Sequence, residues 1–215
     1  MNLNLYPYQY NFIADKIAHL LNVYHSVNDP KTVTSIQEAV REDILQTFPS
    51  TNSEITNSIE VLMNRKCSTA QAEKVLKSFQ SYVIPFEHPT KKQVERVFKK
   101  VKKLKTPFIS DEVLLESTYI GWNDIASNRK YIIYYDNNHQ LQGFYGDITQ
   151  NTVKGFCAIC NKQSNVTLFT RKTKATSDGR YTKKGDYICL DSTKCNQQLS
   201  AIQQFYQFLT KIEAQ

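Results

Sequence analysis

Two close pairs of cysteines constrain this chain more than any other feature. Cys157 and Cys160 are separated by two residues, Cys189 and Cys195 by five, and 28 residues lie between the pairs. Such pairs can converge on one tetrahedral ion, and four thiolates are the donor set of a zinc site. The first pair lies in Phe156-Cys-Ala-Ile-Cys-Asn161, a short turn able to aim both sulfurs at one point. Two strand-like runs follow, 166–171 and 181–188, joined by the polar stretch 174–180. After the second pair, Leu199, Ile202, Phe205, Tyr206, Leu209 and Ile212 recur at helical spacing. A knuckle, a hairpin and a closing helix form a treble clef. The longer second spacing requires residues 190–194 to bulge. It places Cys195 in the first turn of the helix, where the dipole favours a thiolate.

Disulfides need an oxidising compartment, and residues 1–10 lack the basic start and apolar stretch of a signal peptide. The fifth cysteine, Cys67, stands far from the others and reads as a small buried helix residue. Four thiolates leave no open position for water, and His19, His25, His88 and His139 all lie away from the pairs in sequence. The zinc is therefore expected to be structural. No enzyme signature accompanies it. Gly179-Arg-Tyr-Thr-Lys-Lys-Gly185 lacks the spacing and the Gly-Lys-Ser/Thr ending of a phosphate loop. Neither a nucleophile–histidine motif nor H-E-x-x-H occurs. With no run of about 18 apolar residues, no membrane span is expected, and the location expected is cytoplasmic.

Charge divides the chain. Residues 1–84 carry a net −1 and residues 85–215 a net +8. The first part reads as four amphipathic helices in an antiparallel bundle. Phe12, Ile13, Ile17, Leu20 and Leu21 share a face in the first, and Asp29-Pro30 opens the second. Capping boxes at Thr51/Glu54 and Ser68/Gln71 open the third and fourth. Pro85 ends the bundle. The expected class is α+β with two lobes, a helical bundle over 1–84 and a basic helix plus a β/treble-clef zinc domain over 85–215, the zinc site spanning 156–215.

Thr90/Gln93 opens a fifth helix with Val94, Val97, Phe98, Val101 and Leu104 on its apolar face. Its other positions are almost all cationic, Lys91 through Lys105. That face suits a solvated surface or a patch for RNA or an acidic protein. Residues 106–117 read as a connector, 129–136 and 141–148 as a hairpin around a turn at 137–139. Tyr131, Tyr134 and Tyr135 read as packing residues rather than a base-stacking platform.

Several strings together resemble one family. They are Phe98-Lys-Lys-Val-Lys-Lys-Leu-Lys105, Gly121-Trp-Asn-Asp124, Ser127-Asn-Arg-Lys-Tyr-Ile-Ile-Tyr-Tyr135, Val153-Lys-Gly-Phe-Cys-Ala-Ile-Cys-Asn161, Lys183-Lys-Gly-Asp-Tyr-Ile-Cys189 and Gln204-Phe-Tyr-Gln-Phe208. The chain resembles, over essentially its whole length, the FusB-type fusidic acid resistance proteins. That resemblance implies a partner, bacterial elongation factor G, and a role in freeing the factor from ribosomes stalled by the drug. It implies a contact surface on the zinc domain at the matching positions Phe156, Lys184, Tyr187 and Phe208. A monomer is expected, although the sequence itself does not reveal the oligomeric state. Aromatic anchors are the residue types that dominate interfaces, and Lys184 suits an acidic partner. The alternative from a different class is a zinc-stabilised basic protein acting on ribosomal RNA directly.

Overall fold

The computed structural model of the chain describes residues 3–101, 104–172 and 182–213. The chain divides into two compact units, Met1–Ile84 and Pro85–Gln215.

The first unit is helical: α1 Pro7–Ser26, α2 Pro30–Thr47, α3 Ser53–Leu62 and α4 Thr69–Phe79. Prolines open α1 and α2, where the missing N–H costs nothing. Asp29 caps α2 by accepting from the Thr32 N–H at 2.9 Å. The Ser68/Gln71 box closes as expected on α4. The Thr51/Glu54 box does not form. Asn52 caps α3 instead, accepting from the Ile55 N–H at 2.8 Å, because asparagine one residue later is an equally good cap. Helices α1 and α2 pack together, as do α3 and α4, and α1 also touches α4. Ile13, Ile17, Leu20, Val40, Ile44, Ile55, Ile59, Val75 and Phe79 form their buried stripes. Cys67 is buried but lies in the link between α3 and α4, not in a helix.

The second unit is built on a six-stranded antiparallel sheet: β1 Ile120–Asp124, β2 Arg129–Tyr135, β3 Leu141–Ile148, β4 Val153–Phe156, β5 Gln163–Lys172 and β6 Lys183–Cys189. The order is β1-β2-β3-β5-β4, with β6 on β5. The ten-residue β5 is long enough to share one edge between β3 and β4 and give the other to β6. Gly185 allows β6 to lie close, since a Cβ there would come 2.1 Å from the Phe169 carbonyl oxygen. Residues 173–181 of the link from β5 to β6, Arg180 and Tyr181 among them, fall outside the described residues.

Both faces of this sheet are covered, which explains the unbroken apolar run in β2. Tyr131 and Ile133 face Phe86, Val94, Phe98 and Leu114. Tyr134 faces Phe205 of α8 (Ile202–Glu213), with ring centroids 5.4 Å apart. The tyrosines are thus packing residues, as their setting in a strand predicts. Helix α5, Lys91–Val97, is shorter than the pattern to Leu104 suggested. Phe98 leaves the helix to pack edge-on against Trp122 and Tyr131, and Val101 and Leu104 join the same core without helical geometry. Consecutive like charges at Lys99 and Lys100 add nothing to hold a helix together there; Lys102 and Lys103 lie outside the described residues. The connector holds a short helix, α6 Asp111–Leu115, with acidic residues in its first turn. The closing helix is two helices. In α7, Ser192–Gln198, the chain stops because Leu199 is extended and wholly buried, and α8 begins afresh. Among the described residues, no helix is long and apolar enough to cross a membrane.

Candidate metal centre

The four cysteines converge. Cys157 and Cys160 come from the turn after β4, Cys189 ends β6, and Cys195 lies on α7. All four are buried, and their sulfurs lie within 4.8 Å of one another. Local geometry builds each half. The Asn161 N–H returns to the Cys157 carbonyl at 2.8 Å, and Asn161 has a positive φ of 54°. Asparagine tolerates that left-handed backbone better than most residues. Asp191 caps α7 by accepting from the Thr193 and Lys194 N–H groups. The five-residue spacing is taken up here, in a bend at Leu190 followed by the first turn of α7.

The sulfur spacing selects among chemistries. Cys157 Sγ and Cys195 Sγ are 3.6 Å apart, and Cys160 Sγ and Cys189 Sγ 3.8 Å. A disulfide would need about 2.0 Å. A tetrahedron with metal–sulfur bonds of about 2.3 Å has edges of about 3.8 Å, which these separations match. The backbone N–H groups of Ile159 and Cys189 both point at Cys157 Sγ, each at 3.3 Å. Such donors favour the thiolate. Contacts from Cys160, then Cys189 and Cys195, pull Cys157 far below the ordinary thiol range. The shared contact with Cys157 pushes Cys160 and Cys195 up. Tyr119 lies wholly buried beside the sulfurs, and burial first, then the charge and contact of Cys195, push its hydroxyl well above the ordinary tyrosine range. The donor set and spacing fit a structural, four-thiolate metal ion, which closes the site to water.

Supporting residues invisible in the sequence surround the centre. Asn196 is buried and joins α7 to the chain before β1. Its Oδ1 accepts from the Thr118 and Tyr119 N–H groups, and its Nδ2 donates to the Tyr119 carbonyl at 2.8 Å. Lys130 is 1% exposed and donates to the Leu190 carbonyl, beside Cys189, at 2.8 Å. Burial draws its ammonium down to about 8, against the opposing pull of Cys195, Cys189 and Asp191. Neither residue matches a motif; only the fold brings them there.

The four expected contact residues do not form one surface. Phe156, the last residue of β4, is 69% exposed, and Tyr187 on β6 is 45% exposed. The knuckle ties them together, because the Ala158 N–H donates to the Tyr187 carbonyl at 2.8 Å. Lys184 is half-buried, and an odd spacing from Tyr187 puts it on the opposite face of β6. Phe208 is 2% exposed, packed on Phe169 and Phe144 with centroids 5.9 and 6.2 Å away. Its expected place on an exposed surface is therefore corrected: it lies on the apolar stripe of α8 and supports the sheet from beneath. Phe208→Ala is expected to cost about 3–5 kcal/mol of stability, a truncation in a packed aromatic cluster. Thermal melting of the purified variant checks this, with an unchanged midpoint as the contrary result.

A separate open groove of about 560 Å³ collects cations, with Lys99, Lys100, Arg129, Arg171 and Lys172 against Asp147. None of the four contact positions lines it.

Residues 5–87 match the family model described as "Elongation factor G-binding protein, N-terminal". Among solved structures, the chain is similar to the one titled "Structure of the fusidic acid resistance protein FusC". The identity is 38%, 99% of each chain is covered, and the TM-score is 0.90. No curated protein sequence gives a significant match.

Proposed function

Because this chain belongs to the FusB-type family of elongation factor G-binding proteins, we propose that it binds elongation factor G and protects translation from fusidic acid. The observation that carries this reading is the pair of exposed aromatics on either side of the cysteine knuckle. Phe156 and Tyr187 offer rigid apolar area at low entropic cost, the composition of an interface centre. Lys184, on the other face of β6, adds longer-range charge attraction to an acidic partner. Phe208 acts at one remove, by seating α8 against the sheet.

In this reading the four cysteines hold Zn²⁺. The ion takes no part in chemistry. It fixes the turn, β6 and α7 in one arrangement before the partner arrives, so less ordering is paid on binding. The protein is not an enzyme here: the drug is left intact, and the work is done by binding alone. It acts as a monomer in the cytoplasm, where the factor is.

Release of the factor from a stalled ribosome needs more than affinity. The protein must bind better to a conformation of the factor that holds the ribosome weakly. A pelleting assay tests this. Ribosomes stalled with the factor, GDP and fusidic acid are incubated with the protein, and the factor is followed into the supernatant. Release that rises with protein concentration is the expected result, with the drug recovered unchanged. A factor that stays with the ribosomes at saturating protein would overturn the release step.

A further inference from the structure

Lys130 stands out because it is the only buried charged side chain among the described residues. Removing an ammonium from water costs several kcal/mol unless its charge is compensated. Its two hydrogen-bond partners are neutral: the Leu190 carbonyl at 2.8 Å and Asn123 Oδ1 at 3.2 Å. These bonds occupy two of its three N–H donors, and the anionic groups that pull on its charge are the cysteine sulfurs and Asp191. The sheet explains its position. On β2 it shares a face with Ile132 and Tyr134, the latter packed on Phe205 of α8, and at its own end of the strand that face meets the loop between Cys189 and α7. Leu190 follows Cys189 directly, and its carbonyl also accepts from Asn123 Nδ2 at 3.0 Å. The ammonium is therefore fixed beside the cysteine centre and cannot swing away.

Charge counting gives this placement a purpose. Four thiolates around a divalent ion leave two negative charges in a buried site. We propose that Lys130 is a built-in counter-cation that offsets one of them and thereby sets how tightly the centre keeps its metal. Lys130 is a positioning and charge-balancing residue, not a ligand. The inference rests on the reading that the centre binds zinc.

The full-length protein tests both statements separately. Zinc affinity is measured by competition with a chelator of known strength, and the Co²⁺-loaded form is examined by absorption spectroscopy. Wild type that takes up no zinc would defeat the zinc reading, and the counter-cation with it. Given zinc binding, Lys130→Gln keeps an N–H donor for Leu190 but drops the charge, and Lys130→Met keeps the shape of the stem. Both are expected to lose about 10- to 100-fold in zinc affinity, the usual effect of removing a partner around a metal's ligands. Their cobalt spectra should stay tetrahedral, with the sulfur-to-metal charge-transfer band moved to lower energy by the more electron-rich thiolates. Lys130→Arg, which keeps the charge, should recover much of the affinity. Wild-type affinity and spectrum in either neutral variant would overturn the proposal. So would equal losses in all three variants, which would make Lys130 only a strut for the Leu190 loop.

Discussion

Cys160→Ser, or removal of the metal by a strong chelator, is expected to unfold Pro85–Gln215 while Met1–Ile84 stays helical. The size of the effect follows from comparing two terms. Structural zinc in small domains contributes about 10–16 kcal/mol of apparent binding energy. Whole domains are stable by only about 5–15 kcal/mol. Losing the ion therefore removes as much as the unit has. The four sulfurs join three separate elements, β6, α7 and the turn after β4, and no disulfide links them. Without the ion, four thiols would be left packed together in the interior. The first unit has its own apolar core in α1–α4 and contains none of the four ligands. Circular dichroism checks this: the near-ultraviolet signal of the second unit's buried Tyr and Phe rings should collapse, while much of the far-ultraviolet helical signal remains. A cooperative melt and an unchanged near-ultraviolet spectrum in Cys160→Ser would argue against a structural metal.

Tyr187→Ala and Phe156→Ala are expected to weaken binding to elongation factor G by at least about 30-fold each, roughly 2 kcal/mol, the scale of an interface hot spot. Both side chains are exposed, so truncation leaves no cavity. The melting temperature should stay near that of the parent. This separates them from Phe208→Ala, where the loss is first one of stability. A Tyr187→Ala protein that is folded, metal-loaded and binds as tightly as the parent would remove Tyr187 from the interface. Lys184→Ala should do less, because a half-exposed cation on the other face of β6 contributes mainly to the rate of encounter. Its effect should shrink as salt is added.

The cysteine centre was legible because its signal is local: ligand types, pair spacing and the turn residue Asn161 all lie in the sequence. The helices of the first unit were legible for the same reason, through caps and apolar periodicity. What escaped depended on tertiary packing. The pattern from Val94 to Leu104 is helical in spacing, yet the core around Trp122 and Tyr131 draws Phe98 and Val101 out of a helix. Phe208 belongs to a string carried by resemblance, and its burial depends on where α8 meets Phe144 and Phe169. Lys130 sits in the run Arg129-Lys-Tyr-Ile-Ile-Tyr-Tyr135, where a lysine at the start of a strand reads as solvated. Only the pairing of β2 with β1 and the placement of Leu190 reveal that it is enclosed. Asn196 is likewise an ordinary polar residue until α7 sets it against Tyr119.

The most direct test of the account is a calorimetric titration of the zinc-loaded protein into elongation factor G at physiological salt, run beside Tyr187→Ala. A stoichiometric complex with the parent, and heat lost or shifted to much weaker affinity in the variant, is the predicted result. No heat from a folded, zinc-loaded parent would contradict binding of the factor. Equal binding by both proteins would contradict the placement of the interface at the cysteine knuckle.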